Sequence, residues 1–266
     1  MSRGIRVEDL GLEAGGATLL KGVSLNIEPG SFVGIVGPNG AGKTSLLRAF
    51  LRLAIPTRGQ VKVGGEDLAS ISSKERAAFL GWLPQQHHVQ EPVTVLDSVA
   101  AARYRFPESR AEALKAARSC LESLNLSQMS TRLMDTLSGG EAQRVGLAAL
   151  LAQDSAFLLL DEPANHLDPA YQATIYKQLG DEWRKGRGIL CVTHDINLLR
   201  HVAPTENLEE IRVLGIKDGG IALDANMASQ SLGEELSALF GVPMERVALS
   251  EGWIFVPGCP EAGAQS

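Results

Sequence analysis

The sequence predicts an α/β fold: a mixed, mostly parallel sheet packed by helices, with an N-terminal antiparallel β meander and an inserted α-helical subdomain. Three observations carry this. Apolar, β-rich runs at 31–36, 157–160 and 189–192 alternate with helical stretches, as buried parallel strands do. The long stretch 94–152 is rich in Ala, Leu, Glu and Arg and contains no strand candidate. Ahead of both, 5–10 and 23–27 alternate or run apolar, as meander strands would.

The elements follow in order. A helix at 44–53 succeeds the run 31–36 directly. Short strands at 60–63 and 81–83 flank a helix at 72–78, where Ser72 and Glu75 form a capping box. The subdomain divides into helices at 94–104, 108–124 and 139–152. Then come the strand 157–160, a helix at 169–185, the strand 189–192 and a short helix at 196–202. Segment 204–210 reads as a small insertion with no assigned role. Strands 211–217 and 221–223 complete the core. A helix from 232 and a hairpin about 247–256 close the chain, and 257–266 is expected to be a flexible tail.

Composition narrows the function classes. A chain of 266 residues, 44% hydrophobic and 21% charged, has ample core for one large domain or two small ones. A net charge of −6 argues against a dedicated nucleic-acid binder. No run of apolar residues is long enough to span a bilayer, and no basic-then-apolar leader opens the sequence. Cys120, Cys191 and Cys259 lie far apart without metal-ligand spacing, which suits reduced, buried thiols in a cytosolic protein.

The most informative stretch is Gly37, Pro38, Asn39, Gly40, Ala41, Gly42, Lys43, Thr44 and Ser45. It satisfies G-x-x-x-x-G-K-[ST] between a strand and a helix, the context of a phosphate-binding P-loop. The fold expectation therefore sharpens to a P-loop NTPase core. Glycines let successive backbone N–H groups turn inward, and the helix start adds its positive end. Lys43 would reach the β- and γ-phosphates, and the Thr44 hydroxyl would ligate Mg²⁺.

The run 157–160 ends in Asp161, Glu162 and Pro163. Alone, this could equally be an acidic turn before a proline. Beside a P-loop it reads as a catalytic pair: Asp161 holding Mg²⁺, and Glu162 polarising the water that attacks the γ-phosphate. Leu137, Ser138, Gly139, Gly140 and Arg144 open another helix, with Ser138 of N-cap type and glycines exposing backbone donors.

That last segment resembles the L-S-G-G-x-x-x-R signature of ATP-binding-cassette (ABC) proteins. The resemblance covers roughly 5–245 and implies a single nucleotide-binding domain over 1–256, with its helical subdomain about 94–152. It implies that Ser138, Gly139 and Gly140 of one copy close over ATP on the P-loop of another, hence a homodimer. It implies that Gln85, after a strand, contacts Mg²⁺ and the attacking water and senses a partner. It places Ala164 to Asp168 at the dimer interface and makes His194 a hydrogen-bond donor to the γ-phosphate. A lone His after a strand is otherwise an ordinary surface or core residue. One departure stands out: Ala14 occupies the place where the family usually stacks an aromatic ring on adenine.

Further phrases, at 94–104, 193–199 and 236–243, resemble subunits that power importers of iron–siderophore, heme or cobalamin chelates. The family then implies integral-membrane permease partners, an indirect periplasmic or lipoprotein substrate-binding protein, and a peripheral place on the cytoplasmic side of the inner membrane. Two alternatives remain at this point: the ATPase subunit of an exporter, or a soluble non-transport cassette.

Overall fold

The computed structural model describes residues 4–85, 92–165 and 167–258. Strands β1 (Ile5–Ala14) and β2 (Ala17–Ile27) pair antiparallel through a turn at Gly15 and Gly16, both at positive φ. Both strands are longer than the alternation suggests. Their register shifts repeatedly between Val7 and Glu13, and Asp9 has φ 49°. Each bulge breaks the two-residue period that a sequence reading depends on.

The buried strand β3 (Phe32–Val36) leads into α1 (Lys43–Phe50). Next come β4 (Arg58–Val63), the two-residue β5 (Glu66–Asp67), α2 (Ser73–Phe79) and β6 (Leu80–Leu83). β5 was not anticipated; both of its residues are exposed acids with no β preference. The capping box of Ser72 and Glu75 forms as expected.

The helical subdomain contains α3 (Val95–Ala101), α4 (Arg110–Ser123) and α5 (Gly139–Gln153) packed on one another. Two 3₁₀ turns, Ser127–Met129 and Met134–Thr136, join α4 to α5. Thr94 caps α3, and Ser109 and Glu112 box the start of α4, which sets both helices to begin later than composition indicated.

The chain returns to β7 (Phe157–Asp161), α6 (Pro169–Arg184) and β8 (Gly188–Val192). The short helix expected at 196–202 forms as a 3₁₀ helix, Ile196–His201. The presumed insertion forms another, Thr205–Glu210, and buries Leu208. β9 (Ile211–Lys217), β10 (Gly220–Asn226), α7 (Leu232–Phe240), β11 (Met244–Ala248) and β12 (Trp253–Pro257) follow. The expected tail begins later than 257: Pro257 lies in β12, and Gly258 donates to the Pro243 carbonyl at 2.8 Å. Residues 259–266 of that expected tail lie outside the described residues.

Two sheets result. β2-β1-β4-β5 is antiparallel. The six-stranded sheet runs β10-β9-β3-β8-β7-β6, parallel throughout except at the β10 edge. Its central strands are buried on both faces, and successive residues serve different cores. Val33, Ile35, Leu159, Leu190 and Val192 pack toward α1 and the antiparallel sheet. Phe32, Val36, Leu158, Leu160, Ile189 and Cys191 pack toward the helical subdomain and α6. The carboxyl ends of β3, β7 and β8 therefore converge, and the loops that leave them carry the motif residues.

Candidate functional site

The loop from Gly37 to Gly42 leaves β3 through backbone that only glycine accepts readily. Gly37, Gly40 and Gly42 have φ of 145°, 77° and 106°. A Cβ on Gly37 would lie 2.1 Å from the Ile216 carbonyl oxygen, so the loop is pressed against β9. Pro38 is half-buried, Asn39 is exposed and Ala41 is buried, its carbonyl accepting from Gly219 N at 3.2 Å. Helices α2 to α6 begin with side-chain caps. α1 begins at Gly42 with none. Its first N–H groups thus face the loop without a side-chain acceptor, as an anion site requires.

Lys43 is buried, and its Nζ donates to the carbonyls of Gly37 at 2.7 Å and Pro38 at 2.9 Å. Burial pushes its pKa down, while Glu162 and Asp161 oppose the shift. The Thr44 hydroxyl donates to Asp161 Oδ1 at 3.2 Å. Ser45 follows, half-buried, in the first turn of α1.

Asp161 ends β7 and is 2% exposed. Burial raises its pKa and the neighbouring Glu162 adds to the rise; the Thr44 hydroxyl and the Arg48 and Lys43 charges counter it. Thr44 and Asp161 supply hard oxygen donors that suit Mg²⁺. Among the described residues, no group of three or more His, Cys, Asp or Glu residues is placed to hold a metal ion by itself. A cation there fits only with phosphate oxygens and water completing its shell.

Glu162 adopts φ 53°, unusual for a residue with a side chain, and its N–H donates to the Val192 carbonyl at 3.1 Å. The turn aims its carboxylate at three nitrogens. Gln85 Nε2 donates to Oε2 at 2.6 Å, Asn165 Nδ2 donates to the same oxygen at 3.0 Å, and His194 Nε2 meets Oε1. Gln85 comes from the end of β6, His194 from the end of β8, and Asn165 from the turn after Glu162. Behind them lies a cavity of about 90 Å³ lined by Glu162, Asn165, Tyr176, Thr193 and His194 among others. Tyr176 is fully buried against Cys191, whose thiol burial pushes up to about 12.

Ser138, Gly139 and Gly140 lie elsewhere. The Ser138 hydroxyl accepts from Glu141 N, and Ser138 N donates to the Glu141 carboxylate at 2.8 Å. Gly140 approaches Leu167 so closely that a Cβ would sit 2.7 Å from Leu167 Cδ2. Asp168 is exposed and caps α6 through Ala170 N and Tyr171 N. These two segments line a surface cavity with Arg144 and Tyr171. The cavity that Ser138, Gly140 and Asp168 line is formed with Glu141, Arg144, Leu167 and Tyr171 and takes in no residue of the phosphate loop. Thus the structure gathers Gln85, Asp161, Glu162 and His194 around Lys43 and Thr44, and sets the second glycine segment apart.

The motif reading gave Asn165 no task toward Glu162. Its spacing of three residues from Glu162 was the available signal. The backbone of Glu162 left no trace in sequence. Ala14 stands exposed at the tip of the first hairpin, paired with Ala17.

With this geometry in view, the chain matches the family model described as ABC transporter over residues 20–165. The hemin import ATP-binding protein HmuV of Rhizobium meliloti is 34% identical over 248 residues, covering 90% of this chain and 92% of that one. The ferric enterobactin transport ATP-binding protein FepC of Escherichia coli is 36% identical, covering 73% of each chain. The lipoprotein-releasing system ATP-binding protein LolD 2 of Caulobacter vibrioides is 36% identical over 79% of this chain and 91% of its own. Among solved structures, the dimeric ATP-binding cassette MJ0796 bound to ADP and Pi superposes with TM-score 0.75 at 28% identity, covering 85% of this chain and 99% of that one. An ABC transporter described as of the metal-chelate type, facing inward, superposes with TM-score 0.79 at 25% identity, covering 97% and 98%. The P-loop, the carboxylate pair and these likenesses lead to one conclusion: the chain belongs to the ABC transporter family, as an ATP-binding and ATP-hydrolysing subunit.

Proposed function

We propose that this ATPase works as a homodimer that powers import of a metal chelate such as hemin or a ferric siderophore. The observation that carries the site assignment is the Glu162 carboxylate, which gathers Gln85, Asn165 and His194 beside an Asp161 tied to Thr44.

The residue roles follow from position. Backbone N–H groups of residues 37–45 and the Lys43 ammonium hold the triphosphate. Thr44, Asp161 and the Gln85 amide oxygen would hold Mg²⁺, which would supply charge neutralisation to the triphosphate. Glu162 takes a proton from the attacking water as that oxygen bonds to the γ-phosphorus and the bridging bond breaks. His194, half-exposed beside Glu162, donates to the γ-phosphate oxygens.

Two copies are needed because the chain carries two glycine-rich helix starts that do not meet. Ser138, Gly139 and Gly140 of one copy would complete the pocket of the other, with Asp168 at the seam. The dimeric relative bound to ADP and Pi supports this reading. No helix of the described residues is long and apolar enough to cross a membrane, so permease subunits would come from other chains. The chain would then sit on the cytoplasmic face of the membrane, with a periplasmic or lipoprotein binding protein delivering cargo to the permease. The hemin and enterobactin relatives favour a chelate cargo. The lipoprotein-releasing relative favours an extruding system as the second reading.

Glu162→Gln tests the core of this. It is expected to abolish steady-state hydrolysis while ATP still drives a stable dimer in size-exclusion chromatography. Hydrolysis at the normal rate, or a monomer under all conditions, would refute it. Uptake of hemin by vesicles carrying the chain with its permease separates import from extrusion.

A further inference from the structure

Asn165 has no reactive chemistry of its own, yet its amide sits on the oxygen that matters. Two amides, Gln85 and Asn165, converge on Oε2 of Glu162, while Oε1 meets His194. The two amides differ in how they are held. Gln85 stands on the segment that leaves β6, a separate part of the chain. Asn165 belongs to the same turn as Glu162: its N–H donates to the Glu162 carbonyl at 3.1 Å, and Gln172 of α6 donates to the Ala164 carbonyl at 3.3 Å. Its donor is therefore fixed relative to the Glu162 backbone before any other element arrives.

Glu162 needs such a brace. A residue with a side chain at positive φ persists only where its surroundings hold it. Its side chain also has free torsions, and a carboxylate that swings loses the alignment a proton acceptor requires. The nitrogen from Asn165 fixes the carboxylate plane; His194 at the other oxygen, 46% exposed, is the less anchored contact.

We infer that Asn165 is a positioning residue for hydrolysis, holding Oε2 of Glu162 so that its carboxylate faces the Lys43 end of the phosphate loop. This rests on Glu162 as the proton acceptor, and the experiment separates the two claims.

The test compares Asn165→Ala, Asn165→Asp and Asn165→Gln, each alone, and Asn165→Ala combined with Glu162→Gln. Asp matches Asn in volume but cannot donate when ionised, whereas Gln keeps the amide. We expect Ala and Asp to lower kcat about tenfold or more with KM for ATP unchanged within about twofold, as loss of a hydrogen bond to a charged group implies. Gln restores most of kcat. Affinity for a fluorescent ATP analogue and the urea midpoint of the Asp variant stay at their normal values. In single-turnover measurements with labelled ATP, Asn165→Ala causes no further loss in the Glu162→Gln background, because the two residues act as one unit. Normal kcat in both Ala and Asp variants, a change in KM alone, or an equal fold loss in both backgrounds would overturn the inference. Glu162→Gln with normal turnover would instead refute the role of Glu162, whereas an inactive Glu162→Gln beside a fully active Asn165→Ala refutes only the brace.

Discussion

The Thr44 hydroxyl donates to the Asp161 carboxylate at 3.2 Å, joining residues 117 apart in sequence. This contact links the start of α1 to the end of β7. It places two hard oxygen donors side by side where the glycine-rich loop ends. Burial already raises the Asp161 pKa, so a cation at this point would relieve an unfavourable buried charge.

Thr44→Val removes the hydroxyl and nearly keeps the shape. The Mg²⁺ concentration for half-maximal hydrolysis should rise about tenfold, the size expected for one lost ligand or charge-assisted bond. ATP affinity measured without metal should change far less. An unaltered Mg²⁺ requirement would exclude Thr44 as a ligand.

Ala14 leaves no ring near the end of β1 to stack on a base. ATP and GTP should therefore be hydrolysed with similar KM values. Ala14→Tyr should tighten ATP binding, since a stacked ring contributes about 1–3 kcal/mol. Competition binding with both nucleotides checks this; strong adenine preference in the unaltered protein would contradict it.

Glu141 offers a pH prediction. The Ser138 N–H, then the Arg132 guanidinium, then the Ser138 hydroxyl hold its carboxyl down to about 2, from an ordinary 4.5. The folded value lies below the unfolded one, so the stabilisation is complete above pH about 4.5 and is lost as pH falls toward about 2. Urea midpoints of the normal protein and Glu141→Gln should differ at neutral pH and converge across that window. A constant difference down to pH 2 would contradict the cap as the source.

Gly180 sits inside α6, where Ala normally improves a helix by about 1 kcal/mol. Here a Cβ would lie 1.9 Å from the Val202 carbonyl oxygen. Gly180→Ala should therefore destabilise by about 1–3 kcal/mol through forced separation of α6 from the 196–201 turn. Urea denaturation gives the measurement; a stabilised variant would show that this packing yields easily.

Much of this was legible in the chain. β3, β7 and β8 are continuous apolar runs, and no half-exposed strand reads that way. Gly37 and Lys43 show themselves because only glycine and a cation satisfy that loop. What stayed hidden depends on backbone that does not follow periodicity. Bulges near Asp9 and Gly11 erased the alternation of β1. The 3₁₀ turn at 205–210 lacks a 3.6-residue stripe. The left-handed turn at Glu162, and with it the reach of Asn165, arises from tertiary contacts with Val192 and His194 that no local pattern encodes.

The odd and even residues of β3, β7 and β8 face two different interiors, so these strands are a partition wall. A substitution at Ile189 or Leu158 bears first on the compartment that also houses α3, α4, α5 and α6. One at Leu190 or Leu159 bears first on the compartment shared with α1 and the antiparallel sheet. Such a wall lets side chains on one face be exchanged while those on the other keep their neighbours.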